Sequence, residues 1–331
     1  MNRRDSGILV FAELRGNEIH PVTFELLNKG REIAEKMKVE LASFILGFRL
    51  ENKVHELIYH GADKVYVFDH EALRTFDVVL YKHNIVNLVR KIKPEAVFFG
   101  ATQIGRSLAP RVAAALNTGL TADCIDLRVN EKDEIIQIRP AFTGNIIAHI
   151  KTKTRPIMST IRYRVFEKSG RNRNRKGEIV KMNVEVVNSG IRVIKKISEK
   201  KINISDAEII VSCGRGLKKP DDLHLIKELA ELLGGVIGAS RPLVDDGWIS
   251  RDHQVGFSGN TVKPKLYIAC GISGSPQHLA GMRDSKIIIA INIDPSAPIF
   301  RYCDYGIVGD LYEIIPKLIE EIRRRREKNG R

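Results

Sequence analysis

The residues best suited to chemistry gather in three short segments of the C-terminal half. They are Gly238-Ala-Ser-Arg-Pro-Leu-Val-Asp-Asp-Gly247, Gln254-Val-Gly-Phe-Ser-Gly259 and Gly271-Ile-Ser-Gly-Ser-Pro-Gln-His-Leu-Ala-Gly281. Each puts Gly, Ser, Arg or His where an apolar, strand-like run stops; Tyr267-Ile-Ala-Cys270 precedes the third, and the helix-compatible Gln277-His-Leu-Ala-Gly-Met282 follows it. Glycines let a backbone approach a phosphate closely, serine hydroxyls add donors, and a helix start turns N–H groups toward an anion. The pyrophosphate grip read from these types is Gly274, Ser275, Ser240 and the backbone at the start of the helix that carries His278. Asn292-Ile-Asp-Pro-Ser-Ala-Pro-Ile-Phe300 and Asp304-Tyr-Gly-Ile-Val-Gly-Asp-Leu311 repeat the strand-then-polar-loop design. In an open α/β sheet, ligands settle beyond the carboxyl ends of the strands. Such loops at successive strand ends describe a long, phosphate-bearing cofactor laid across a sheet.

Other chemistries find less in the chain. Ser273 lies near His278, but Gly271-Ile-Ser-Gly-Ser275 is one residue short of the Gly-x-Ser-x-Gly turn of a hydrolase. Asp245-Asp246 are adjacent, a poor geometry for a paired acid and base, and read as turn residues before Gly247. Cys124, Cys213, Cys270 and Cys303 are far apart with no Cys-x-x-Cys spacing, so no metal or iron–sulfur site is expected and buried free thiols are. A lone Gly214-Arg-Gly216 is not a dinucleotide fingerprint, and none stands at residues 7–12, which counts against a self-contained NAD-dependent dehydrogenase. Gly100 to Arg111 reads equally as a phosphate loop or as a tight turn before an amphipathic helix, and lacks the P-loop Gly-Lys-Ser/Thr ending.

These loops need strands and helices to hold them. Apolar runs at residues 7–12, 39–46, 64–68 and 96–99 read as strands. They are separated by helical patterns at Pro21 to Lys38 and Asn84 to Lys93. From Thr118 to Val187 the runs shorten and become β-like, at 134–138, 157–161 and 179–186, with a charged, turn-rich loop at Lys168 to Gly177. A strand at 207–212, a helix opened by Pro220-Asp-Asp222 and closed by Gly234-Gly235, and a final helix from Leu311 to about Lys328 restore the α/β alternation. The expectation is α/β throughout: two domains, each with a mostly parallel, doubly wound sheet, over 1–190 and 206–331, joined by a linker at 191–205.

The chain has 331 residues and a formal net charge of +14, with basic clusters at Arg171 to Lys176 and Arg323 to Arg326. A basic nucleotide- or nucleic-acid-binding module without redox activity is therefore the alternative reading. No Lys/Arg run is interleaved with aromatics and no zinc or helix-turn-helix spacing occurs, so a solvated basic surface that attracts an acidic protein partner is favoured over nucleic acid. No apolar run approaches the roughly 18 residues of a membrane span. The start lacks a signal-peptide cleavage site, so a cytoplasmic location is expected, with membranes reached only through partners.

Val211-Ser-Cys-Gly-Arg-Gly-Leu217, Gly238-Ala-Ser-Arg241, Gly271-Ile-Ser-Gly274 with Gln277 to Met282, and Ala290 to Phe300 together resemble the FAD domain of the electron transfer flavoprotein alpha subunit. Gly100 to Arg106, Leu108 to Arg111, Thr121-Ala-Asp123 and Arg139 to Asn145 extend the resemblance over essentially the whole chain, in the right order. It implies a C-terminal FAD-binding domain and an N-terminal scaffold that meets a beta subunit. It also implies redox partners, such as a dehydrogenase or a quinone-reductase-like or ferredoxin-like protein. Arg215, Ser240, Arg241, Val255, Gly256, Phe257, Ser258, Ser273, Gly274, Ser275, Pro276, Gln277, His278, Asn292, Asp310 and Leu311 occupy FAD-contacting positions under it. Asn292, Asp310 and Leu311 fall at the adenosine end. Arg241, His278 and Ser258 carry the electronics: Arg241 over the ring plane or in an ion pair with Asp245 or Asp246, His278 toward the flavin O2, Ser258 toward N5. Phe257-Ser258 stands where many members carry Gln-Thr, a departure similar to the electron-bifurcating branch.

Overall fold

A computed structural model describes residues 7–16, 18–141, 146–191, 193–194 and 204–329. The last four residues of the Arg139 to Asn145 segment, and most of the expected linker at 191–205, lie outside them. The chain divides into two compact units, residues 1–194 and 195–331.

The N-terminal unit opens with β1 (Ile8–Ala12), a small hairpin of β2 (Leu14–Arg15) and β3 (Glu18–Ile19), and α1 (Val22–Met37). It continues with β4 (Leu41–Gly47), α2 (Glu51–Tyr59), β5 (Lys64–Asp69), α3 (Val78–Ile92), β6 (Ala96–Gly100) and α4 (Gln103–Ala115). β7 (Leu120–Cys124), β8 (Asp126–Val129), β9 (Ile135–Ala141), β10 (Ile146–Ile150), β11 (Ile157–Ile161) and β12 (Glu178–Lys181) complete it. Seven strands form one parallel sheet in the order β12-β5-β4-β1-β6-β11-β7, while β10-β9-β8 form a separate antiparallel sheet.

β1, β4, β6 and β11 are buried along their whole length, the mark of parallel strands covered on both faces. Alternate residues serve opposite cores: Ile8, Val10 and Ala12 face one, Leu9 and Phe11 the other, where Phe11, Phe44 and Phe99 stack within 6.1 Å. The sequence pattern starts α3 at Asn84, but the helix begins six residues earlier. Asp77 caps it, accepting from the N–H groups of Val79 at 2.9 Å and Leu80 at 3.1 Å. The strand expected over 179–186 ends at Lys181; Met182 still donates to the Val67 carbonyl, and Glu185 is held by Asn84 of α3 instead of by a ladder.

The Gly100 turn behaves as a tight connection into α4. Thr102 caps that helix, accepting from Gly105 N–H at 3.0 Å while donating to the buried Glu13 carboxylate at 2.5 Å. A Cβ on Gly105 would sit 1.8 Å from the Gly100 carbonyl, so the glycine is there to bring the helix against the strand.

The C-terminal unit contains β13 (Ile209–Cys213), α5 (Leu223–Leu233), β14 (Val236–Ala239), α6 (Arg241–Asp245), β15 (Leu266–Cys270), α7 (Pro276–Met282), β16 (Ile288–Asn292), β17 (Tyr305–Val308) and α8 (Leu311–Asn329). α5 follows a 3-10 turn at Pro220–Asp222 and ends at Gly234, whose φ of 70° suits a left-handed cap. All five strands are parallel, in the order β14-β13-β15-β16-β17. The chain moves outward to one side of β13 and then crosses back to the other. The switch point therefore lies between β13 and β15, where such sheets open a crevice at their carboxyl edge.

Candidate functional site

A parallel sheet delivers every strand's C-terminal loop to one edge, and all the residues singled out in this unit sit there. Gly214 to Leu217 leave β13, Ser240 and Arg241 leave β14, Gly271 to His278 leave β15, Asn292 ends β16, and Asp310 and Leu311 follow β17. The Gln254 to Gly259 segment comes from the excursion between α6 and β15; Val255 N–H bonds the Ala239 carbonyl at 2.9 Å, which ties it to β14. With strands about 4.8 Å apart, the edge is about 19 Å long, a cradle for an extended dinucleotide rather than a single nucleotide.

Glycines hold these loops in mutual contact. At the switch point, Gly216 N–H donates to the Gly271 carbonyl at 3.0 Å. A Cβ on Gly216 would come within 2.6 Å of Gly271 Cα, and one on Gly271 within 2.9 Å of Leu311 Cδ2, so loops after β13, β15 and β17 interlock. Gly274, at φ 90°, lies under Ile299, where a Cβ would be 2.6 Å from the backbone nitrogen. Asn292 Nδ2 donates to the Ile272 carbonyl at 2.9 Å, its Oδ1 accepts from Asp294, and Asp310 Oδ1 accepts from Tyr312 N–H at the start of α8. Ser240 N–H donates to the Cys213 carbonyl, while its hydroxyl makes no capping bond to α6.

The 254–259 segment packs on the opening turn of α7. Phe257 N–H donates to the Gln277 carbonyl at 2.7 Å, and the Gly256 backbone lies where a Cβ on Gly281 would intrude. Phe257 projects its ring into solvent at 71% exposure, an apolar surface at the rim of the edge. Ser258 Oγ accepts from Gln254 Nε2 at 3.0 Å, which leaves the serine's own proton for another acceptor. Gln254, which opens this segment, is not among the expected cofactor contacts, yet it is buried; a buried amide in a loop is the signal that marks it.

Arg241 and His278 differ in setting. Arg241 is mostly exposed and pairs with Asp245 Oδ2 at 3.0 Å, one of the two arrangements its sequence allows. Arg215, Ser273 and Gln277 are also exposed on this edge, and Pro276 occupies the first position of α7, where a missing N–H costs nothing. Ser275 caps α7 by accepting from His278 N–H. The His278 ring is 5% exposed, and its Nε2 is 2.9 Å from the Tyr267 hydroxyl. Burial pulls its pKa down to about 4, only partly offset by the Val255 backbone, so the imidazole is neutral at physiological pH. Its Nδ1 has no hydrogen-bond partner, and neither has Ser212 Oγ on β13. The residues fit a cofactor with hydrogen-bonding edges: an interlocked glycine cradle, exposed donors along it and a buried, unpartnered imidazole nitrogen.

Among the described residues no cluster of three His, Cys, Asp or Glu side chains is placed to hold a metal, and no helix is long and apolar enough to cross a membrane. Cys124, Cys213 and Cys270 are buried free thiols, with burial pushing Cys124 and Cys213 up to about 12. Several residues of the basic clusters take part in ion pairs: Arg171 with Glu56, Arg175 with Asp63, Arg323 with Glu228, and Arg324 and Arg325 with Glu321.

Residues 8–187 match the family model described as electron transfer flavoprotein domain, and residues 203–283 the one described as electron transfer flavoprotein FAD-binding domain. The chain is 49% identical over 322 residues to an electron transfer flavoprotein subunit alpha of Thermoanaerobacterium thermosaccharolyticum, covering 96% of this chain and 98% of that one. It is 46% identical over 320 residues to subunit LctC of the lactate dehydrogenase (NAD(+),ferredoxin) of Acetobacterium woodii, covering 96% and 77%. It is 40% identical to an acryloyl-CoA reductase electron transfer subunit beta of Anaerotignum propionicum, covering 96% and 95%.

Proposed function

Because the chain belongs to the electron transfer flavoprotein alpha-subunit family, whose FAD-binding domain it carries, we propose that its C-terminal unit holds FAD along the carboxyl edge of the five-stranded sheet. Acting with a beta subunit, it would relay electrons between a dehydrogenase or NADH-linked site and a downstream redox protein. The observation that carries this reading is the interlocking of the loops after β13, β15 and β17 at the switch point, through Gly216, Gly271 and Leu311. The nucleic-acid alternative has no such support: neither family model that the chain matches describes nucleic-acid binding, and several of its clustered arginines are engaged with carboxylates.

FAD supplies the redox chemistry, taking up and giving back electrons one or two at a time. The protein's part is grip, orientation and electronics. Gly274, Ser275 and Ser240 would line the pyrophosphate, with Arg215 and Ser273 beside it. Asn292, Asp310 and Leu311 would receive the adenosine end. Val255, Gly256, Phe257, Ser258, Pro276 and Gln277 would frame the ring system, Ser258 donating its free proton toward N5. Arg241 supplies a fixed positive charge, and His278 a neutral N–H, toward the edge that becomes negative on reduction. We also propose the division of labour 1–190 as scaffold for the beta subunit, 191–205 as connection and 206–331 as FAD domain.

A finer reading is electron bifurcation, favoured by Ser258 in place of the commoner threonine and by the name of the Acetobacterium woodii relative, which includes both NAD(+) and ferredoxin. It requires a second FAD in the beta subunit. The test is to count flavins in the purified heterodimer and add NADH without oxygen. Two FAD with bleaching support bifurcation. One FAD with no bleaching returns the protein to simple electron relay. A stable, colourless heterodimer overturns the whole reading.

A further inference from the structure

We propose that Tyr267 is the positioning residue for His278, fixing which ring nitrogen carries the proton and so which one faces the cofactor as a donor. The inference rests on the FAD reading above for its consequence, but not for its geometry. Tyr267 is the second residue of β15, on the face that packs against α7, and its side chain is fully buried. His278 is the third residue of α7 and comes down on that face. Strand, glycine turn and short helix thus bring phenol and imidazole together 2.9 Å apart, away from water.

Proton accounting follows from the neighbours. Burial raises the phenol's pKa and lowers the imidazole's, so both groups are neutral and one proton lies between them. Ser212 Oγ is near enough to the phenol to act against its burial, yet it makes no hydrogen bond of acceptable geometry. The hydroxyl's acceptor is therefore His278 Nε2, because a buried O–H left undonated bears its full desolvation penalty. With Nε2 accepting, the ring's own proton must be on Nδ1. That nitrogen is buried and unpartnered in the chain by itself. The Val255 backbone lies close enough to favour a proton on the ring but makes no hydrogen bond of acceptable geometry with Nδ1. Nδ1–H is thus a donor whose placement is fixed by a bond at the far side of the ring, in the way an outer hydrogen bond sets the tautomer of a catalytic histidine. If Nε2 carried the proton instead, Nδ1 would be a lone-pair acceptor and would repel a developing negative charge.

The test uses the heterodimer purified with its bound flavin and selectively ¹⁵N-labelled on histidine, with His278→Gln identifying the signal. The wild-type complex is expected to show His278 as the Nδ1–H tautomer; an Nε2–H signature overturns the proposal without recourse to any variant. Tyr267→Phe keeps the ring and removes only the hydroxyl. It is expected to lose the single Nδ1–H signature and to lower the first reduction potential while flavin content stays at the wild-type ratio. Unchanged tautomer and unchanged potential in Tyr267→Phe assign the tyrosine to packing alone and overturn the proposal. Absence of FAD from the wild-type complex would instead defeat the functional reading, and the tautomer comparison would still decide on the pair.

Discussion

Gly274→Ala separates the cofactor cradle from generic backbone strain. Gly274 has φ 90°, and a Cβ there would stand 2.6 Å from Ile299 N and 2.8 Å from Ile299 Cα. Both obstacles are backbone, and Ile299 N–H is itself bonded to the Ser273 carbonyl at 3.0 Å, so the loop cannot yield without breaking its own closure. Positive φ in an L-residue costs about 1–2 kcal/mol, and forced overpacking about 1–3 kcal/mol. A loss near 3 kcal/mol follows, about two orders of magnitude in the unfolding equilibrium. Gly234→Ala is the matched control: it has φ 70° but nothing within 4 Å of the added Cβ, so it should cost only about 1 kcal/mol. Trp248, the chain's single tryptophan, packs on the core of the same unit and reports its unfolding in urea. Flavin retained after gel filtration is read in parallel. Gly274→Ala should show the larger stability loss and release flavin, while Gly234→Ala keeps it. Equal losses with full retention in both variants would refute the claim that this turn is a built cradle.

Arg241→Ala should lower the first reduction potential of the bound flavin with FAD retained, because a fixed positive charge is removed beside a site of developing negative charge. Its exposed pair with Asp245 contributes at most about 1 kcal/mol to stability, so an unchanged potential would mean that the arginine serves only that pair. Burial raises Glu13 from the ordinary 4.5 to about 7, against the opposing Thr102 hydrogen bond. The folded state therefore holds a proton that the unfolded chain releases, and stability present below pH 4.5 is lost as pH rises toward 7, by about 3 kcal/mol. Glu13→Gln should flatten that part of the stability–pH curve of the N-terminal unit; an equally steep curve would place the titration elsewhere, the similarly raised Glu25 being the first suspect.

The sequence discloses the architecture and the edge of the site more readily than the site's inner contacts. Strand–helix alternation, Pro220 and Gly234 mark the second sheet, and the Gly-Ser loops mark its carboxyl edge, because those features are local. α3 begins at Val78 rather than Asn84 because an N-cap, Asp77, governs the start more than the apolar stripe does. The strand at 178–181 stops two residues before β5 does, and the chain beyond it is held by α3, where Asn84 bonds both the N–H and the carbonyl of Glu185, a partner more than a hundred residues away. Arg241's ion pair with Asp245 is one of two arrangements that the sequence allows, since i,i+4 spacing suits it. Gln254 and Tyr267 stand in or beside the segments that the sequence singles out, but their individual roles do not show there: each matters through a buried hydrogen bond set by packing, and only the unusual placement of a polar-tipped group in an apolar strand or a loop points to it.

The central claim is that FAD lies along the carboxyl edge of the C-terminal sheet. Amide hydrogen exchange on the heterodimer, with its flavin removed and then restored, tests it directly. Restoring FAD should protect the segments at 214–217, 240–241, 255–258, 273–279, 292–294 and 310–312, leaving the opposite, amino-terminal edge of the same sheet unchanged. Protection confined to other surfaces, with these loops exchanging as fast as before, would contradict the account.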